Sequence, residues 1–431
     1  MTPVGRALGA VPPAGAGAAQ RPRLPGLFYG LLGLPLAFVA LPLYVLLPHH
    51  YAAGLGVPLA SLGALLLAVR ALDALLDPLI GRLVDRLLDW PRARLMAVAG
   101  AAALLLAAAF QALFFPPVRG TPALLAWAGG ALVACYLAYS GLSVLHQAWG
   151  ARLGQTAAER ARVVAWREGA ALLGVIVASV LPSAAGLGAT SAALALALAL
   201  GLATLGLAPA PQATGGTAAP AGLWAPWRWP AFRRLLGIYL LNGVASALPA
   251  TLVLFFIRDR LQWPAGEPWL LGLYFSAAAA SLPVWVRLIG RLGLARAWAL
   301  GMALAIVSFV GAAALGAGDG LWFALVCAAS GLALGADLCA PAALLAGLLR
   351  QAGGRAEGVA FGWWSAATKL NLALAAGLAL PLLQWLGYQP GQADPAGVSA
   401  LAAVYALLPC ALKAAALAGL WWGWIRREPD A

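Results

Sequence analysis

The run RALDALLDPLIGRLVDR, residues 70–86, holds the side chains of this sequence best suited to chemistry. Arg70, Asp73 and Asp77 recur at i, i+3 and i+7, so a helix carries all three on one face. Two carboxylates one turn apart repel when both are ionised, and they settle by sharing a proton or by holding a cation between them. Hard oxygen ligands without a soft partner suit Na⁺, Li⁺ or H⁺. Arg70, one turn earlier, offsets part of the charge. The competing reading is an Arg–Asp pair that only locks the helix to a neighbour, but a lock needs one acid and this face has two. Asp73 and Asp77 are therefore the expected ligands of an exchangeable cation, Na⁺ or H⁺, with no other cofactor and no transition metal.

The elements that must position them follow from composition. The chain has 431 residues, of which 63% are hydrophobic and only 10% charged, and its mean hydropathy is +0.89. A soluble globular domain carries about 25% charged residues, so bilayer is the solvent that accommodates this much apolar surface. Ala, Leu and Gly dominate, which suits close helix packing in lipid. The alternating pattern of a membrane β-barrel is absent. Apolar runs predict twelve transmembrane helices near 27–47, 59–80, 95–115, 123–147, 166–187, 189–208, 234–256, 270–290, 294–316, 320–348, 358–386 and 399–425. The expected organisation is a disordered cytoplasmic tail (1–26), a six-helix bundle (27–208) and a linker (209–233). A second six-helix bundle (234–425) and a short cytoplasmic tail (426–431) follow. The linker opens on a flexible Pro/Ala/Gly stretch and ends in WAPWRWPAFRR, whose rings and guanidinium groups suit a membrane interface.

Basic residues set the orientation. An even number of spans puts both termini and the linker on one side, and that side holds Arg6, Arg21 and Arg23, Arg82 to Arg94, Arg152 to Arg167, and most later arginines, Arg355 included. The opposite loops hold Arg119, Arg258 and Arg260, and the spans hold Arg70, Lys369 and Lys413. The positive-inside rule makes both termini cytoplasmic, in a multi-pass inner (plasma) membrane protein. The net charge of +13 is then a topology signal, and a nucleic-acid partner is not implied. Cys135, Cys327, Cys339 and Cys410 lack metal-ligand spacing and read as buried thiols. No metalloprotease or serine-hydrolase motif is present, so the chain does not read as an enzyme.

Charges inside a bilayer cost roughly 2.5–3.5 kcal/mol each at a helix centre, which marks them as functional candidates. Here the spacing Arg70, Asp73, Asp77, Pro78, Gly81, Asp85, Arg86 resembles the second-helix signature of the glycoside–pentoside–hexuronide cation symporters, the melibiose-permease branch of the major facilitator superfamily. The stretch AWGARLGQTAAERARVVAWREG, with Trp149, Thr156, Glu159, Arg160 and Arg167, is similar to that family's loop after the fourth helix. EGVAFGWWSAATKLNLALAAGLAL, with Ser365 and Lys369, resembles its eleventh helix. The resemblance implies an all-α major facilitator fold, two six-helix bundles rocking about a central cavity in alternating access. It implies that Asp73 and Asp77 hold the coupling cation, that Arg70, Trp149 and Arg167 line the solute site, and that Lys369 faces it from the second bundle. These roles agree with the chemistry, since Trp offers a face for a ring to stack on and Arg a fork of donors.

Two family acids have no counterpart. Span 27–47 holds no Asp or Glu, and the turn before Trp149 reads Leu145, His146, Gln147. What remains, namely Arg70, Arg167, Lys369 and aromatic rings, favours an anionic or amphipathic solute over a neutral sugar, and a lysolipid lies within the wider family's range. Trp363 and Trp364 are adjacent and point about 100° apart, so both cannot face the cavity, and Trp364 is the one expected there. Asp337 either contacts solute or pairs with Lys369 or Lys413, and Asn242 bonds between helices. His146 reads either as a proton-linked switch or as a packing residue. The expectation is a cation-coupled symporter of a small solute, monomeric in membrane lipid. An uncoupled facilitator and a transporter-like accessory protein are the alternatives.

Overall fold

The computed structural model describes residues 24–211, 222–353, 356–389 and 394–427. The expected N-terminal tail to residue 23, with Arg6, Arg21 and Arg23, lies outside these residues. So do the middle of the linker (212–221), Arg355 and the last residues (428–431).

Twelve helical segments and no strand occur among the described residues. The first, α1 (24–54), is irregular, with π-helical turns at Pro42–Leu46 and His50–Gly54. Pro42 and Pro48 lack the N–H that a regular helix would use there. Then come α2 (Leu59–Leu87), α3 (Arg92–Phe114) and α4 (Thr121–Ala151). The run Ala157–Leu207 is broken at Gly186, whose φ of 82° and ψ of 172° admit a glycine readily, and this break separates α5 (157–185) from α6 (187–207). The second half comprises α7 (Pro230–Arg260), α8 (Glu267–Leu292), α9 (Leu294–Ala314), α10 (Gly320–Gln351), α11 (Glu357–Trp385) and α12 (Pro395–Gly423). Nine described helices, counting Ala157–Leu207 once, are long and apolar enough to cross a bilayer by length and composition. The architecture is the major facilitator fold.

The side of the molecule bearing the linker is stitched closed. The N-terminus of α11 has donors that no intrahelical carbonyl can satisfy, and Asp85 at the end of α2 accepts two of them, from Gly358 N at 2.6 Å and Val359 N at 2.9 Å. The same two helices meet backbone to backbone. A Cβ at Gly81 would stand 2.1 Å from Gly358 O, and one at Gly362 2.4 Å from Asp77 O, so glycine is required along this seam. Arg152 reaches Glu357 at 3.2 Å, and Arg350 donates to Gly154 O at 3.1 Å. Helix α5 starts in a capping box, with Thr156 accepting from Glu159 N and Glu159 from Thr156 N.

The linker's aromatic end folds back on α11. Trp363 Nε1 donates to Leu223 O at 3.0 Å, and its ring lies 5.0 Å from Trp224 and 5.1 Å from Trp227.

Candidate functional site

Asp73 and Asp77 project from the middle of α2 and are 5% and 0% exposed. The group between them is the ammonium of Lys369 on α11. Its Nζ lies 2.6 Å from Asp73 Oδ2 and 2.8 Å from Asp77 Oδ2, and it also donates to Asp77 Oδ1 at 2.8 Å. Ser140 of α4 completes the cluster, accepting from Lys369 at 2.9 Å and donating to Asp73 Oδ1 at 2.9 Å. One cation thus bridges two acids across the interface between the bundles. This is the place that the carboxylate spacing marks for an inorganic ion or proton. Arg70, half-buried one turn before Asp73, does not line the cavity described next.

Beside the cluster lies a cavity of about 330 Å³ between the two bundles, walled by α1, α4, α5, α7, α10 and α11. Ser140 and Lys369 are chain neighbours of Tyr139 and Thr368 on its wall, so ion cluster and cavity share two helices. On one wall Arg167 donates from Nε and Nη2 to Glu168 Oε1, at 3.0 and 2.7 Å. On the opposite wall Trp364 stacks on Tyr239, with ring centroids 3.7 Å apart, and the Tyr239 hydroxyl meets Thr368 Oγ1 at 2.7 Å. The adjacent tryptophans diverge as helix geometry requires, Trp364 to the cavity and Trp363 to the linker. His146 borders the cavity and is held to α1 by its Nε2, 2.8 Å from Tyr29 O. A carbonyl only accepts, so Nε2 carries the proton and Nδ1, buried without a partner, is the acceptor.

Asp337 also borders this cavity, but its carboxylate is committed within the second bundle. Lys413 Nζ lies 2.7 Å from its Oδ2, and Trp298 and Asn242 donate to its Oδ1 at 2.8 and 3.1 Å. Asn242 bonds both Asp337 and Lys413, tying α7 to α10 and α12. Of the two partners considered for Asp337, it takes Lys413.

Trp149 is placed elsewhere. Its side chain is fully buried, its indole donates to Pro209 O at 3.0 Å, and Arg92 lies 5.9 Å from its ring. Arg92 also donates to the carbonyls at the end of α6 and just beyond it, those of Gly206 and Ala208. Trp149 thus anchors the start of the linker in this conformation and does not reach the cavity.

The excess of positive charge expected around the solute is not there, because Lys369 is neutralised by Asp73 and Asp77, and Arg167 by Glu168. Glu168 escapes a reading of the sequence because neighbours at i and i+1 point apart on a helix, yet these two long side chains converge. The wall of α4 was legible in principle. Tyr139, Ser143, His146 and Gln147 fall at i, i+4, i+7 and i+8 in an otherwise apolar helix.

Comparison with known proteins sets this geometry in a family. No curated protein matches the chain by sequence. Among solved structures, a bacterial homologue of the iron transporter ferroportin in an outward-facing state superposes with a TM-score of 0.70 at 18% identity, covering 94% of this chain and 100% of that one. The human organic anion transporter MFSD10 (TETRAN) gives 0.60 at 19% identity, over 91% and 99%. At such identities these likenesses speak for the fold alone. The sequence of residues 28–425 matches the family described as MFS/sugar transport protein, so nearly the whole chain takes part. With a paired-bundle fold, a cavity between the bundles and that match, the chain belongs to the MFS/sugar transport protein family and is a membrane transporter.

Proposed function

We propose that the chain is a cation-coupled symporter of the melibiose-permease type, working by alternating access, with Asp73 and Asp77 as the ion site and the adjoining cavity as the solute site. The observation that carries the reading is the Lys369 ammonium within 2.8 Å of both carboxylates from the opposite bundle. An incoming Na⁺ or H⁺ satisfies the acids in its place and frees α11 from α2, so ion binding acts on the contact that must change when the bundles rock. With the linker side cytoplasmic, the conformation seen here is closed to the cytoplasm.

The solute is small and polar. A cavity of about 330 Å³ takes a sugar-sized molecule and is too small to enclose a lysolipid with its acyl chain. The stacked Tyr239 and Trp364 offer a flat wall for a ring, and the Arg167–Glu168 pair offers both donors and acceptors. With its charges paired, the cavity suits a neutral, sugar-like or zwitterionic solute better than a simple anion. No group of three or more His, Cys, Asp or Glu able to hold a metal occurs among the described residues, so the iron in a neighbour's name is not carried over.

Thermal stability of the purified chain, titrated with Na⁺, Li⁺ and pH, tests the reading. A ligand at 100 times its dissociation constant adds about 2.7 kcal/mol. Wild type is expected to gain stability with one of these ions, and Asp73→Asn and Asp77→Asn to lose the gain. Equal curves for all three proteins would leave an uncoupled facilitator or an accessory protein as the better description.

A further inference from the structure

Two grooves run along the outer face of α12 towards the linker side. One, of about 840 Å³, lies between α9 and α12 and is floored by Ala299, Ala303, Ala414 and Ala418, with Arg296 and Arg426 at its lining. The other, of about 450 Å³, lies between α7 and α12, and its lining includes Arg233 and Arg234. They share Trp422, which is 62% exposed. Among the described residues, both linings are apolar apart from these four arginines, and neither contains an acid.

We propose that this face is a binding site for an anionic phospholipid of the leaflet on the linker side. One acyl chain would lie in the α9–α12 groove, with the phosphate on Arg296 and Arg426, and the α7–α12 groove would take a second chain beside Arg233 and Arg234. The dimensions agree. From Ala414 to its end at Gly423 the helix rises about 14 Å, close to the roughly 15 Å of hydrocarbon in one leaflet. Small residues open the groove where a chain must lie, and the charges come only at the end where headgroups sit. Arg234 is itself fixed, donating to Gly423 O at 3.2 Å, so the end of α12 and its basic rim form one built unit. A zwitterionic lipid would meet the same apolar floor but bring an ammonium towards arginines. The site therefore selects for net negative charge. It shares no lining residue with the central cavity and includes neither Asp73 nor Asp77, so it stands whatever the solute proves to be.

The test uses the full-length protein, purified in detergent and stripped of lipid. Its melting temperature is followed while dioleoyl phosphatidylglycerol, tetraoleoyl cardiolipin or dioleoyl phosphatidylcholine is added. Native mass spectrometry of the same samples counts lipids retained. Phosphatidylglycerol and cardiolipin are expected to stabilise and be retained, and phosphatidylcholine not. An arginine near a membrane surface contributes a factor of about five to anionic lipid binding, so Arg296→Gln with Arg426→Gln is expected to weaken it roughly 30-fold. Ala414→Leu with Ala418→Leu, filling the floor without touching charge, is expected to weaken it too. Arg287→Gln with Arg291→Gln, outside both linings, is expected to respond as wild type. Equal responses to anionic and zwitterionic lipid, or a wild-type response from Arg296→Gln with Arg426→Gln, would overturn the proposal.

Discussion

Replacing Lys369 by Met removes the cation that holds two buried acids together and keeps an unbranched chain of similar length. Removing one partner of a buried ion pair costs about 3–5 kcal/mol, because the other charge is left without compensation. Here two carboxylates are left, with side chains 5% and 0% exposed, so in ion-free buffer the variant should melt well below wild type. The same energy works in the opposite direction for an incoming ion. In wild type, Na⁺ must displace an ammonium already seated on both acids. If that seat is worth about 3 kcal/mol, the low end of the range, its loss tightens apparent Na⁺ affinity by about a hundredfold. Where the ion is a proton, one carboxyl takes it up instead, and the variant regains stability as the pH is lowered. The assay is a set of melting curves against NaCl, with choline chloride as control, and against pH. A variant whose response equals that of wild type, or which loses the response as the aspartate variants do, would refute the displacement argument. Lys369 would then be a support of the ion site rather than its occupant.

The other expectations follow from neighbouring contacts. Lys413→Met strands Asp337 between Trp298 and Asn242 and should cost about 3–5 kcal/mol, while the gain in stability with Na⁺ stays that of wild type. Asp85→Asn removes the negative charge at the start of α11 and should weaken closure of the linker side by about 1 kcal/mol, read as faster labelling of a cysteine placed in the cavity from that side. Gly362→Val sets side-chain carbons where Asp77 O and Pro78 Cα already stand. It should favour the conformation open on the linker side at a cost of roughly 1–3 kcal/mol, visible in the same labelling. Glu168→Gln leaves Arg167 with its charge unpaired and should shift uptake in proteoliposomes towards anionic solutes. Unchanged selectivity there would place the pair outside the solute's path.

Much of this was legible in the residues because the bilayer imposes strong rules. Apolar runs marked the spans, since backbone in hydrocarbon has few options other than helix. Asp73 and Asp77 stood out because charge in that setting is costly. The break between the fifth and sixth spans was legible to within two residues of Gly186, whereas the π-helical turns of α1 were less visible, because small departures from helix leave the apolar pattern intact. What the residues hid was pairing. A helical period says which side chains share a face, but not which charge on another helix meets them. Lys369 was legible as a positive charge facing the two acids from the second bundle, but Arg167 counted as excess positive charge, although Glu168 beside it already pairs it. Trp149 has the chemistry of a stacking platform, yet an indole N–H serves as well to tie down a carbonyl, and only the course of the chain after α6 decides between the two.

The contact of Gly81 with Gly358 gives the molecule leverage. With no side chains between them, the two backbones meet directly, there and again where Gly362 lies against Asp77 O, and neighbouring parts can tilt about this short seam without side chains being unpacked. Lys369 lies three turns further along α11, about 16 Å away at 1.5 Å per residue. A tilt of roughly 10° about the contact moves the end of that arm by about 3 Å. This is comparable to the whole length of the Lys369–Asp77 ion pair, 2.8 Å. A modest swing at the fulcrum is thus a complete break at the load, and a pair of glycines becomes the gearing between an ion of ångström size and a bundle of helices.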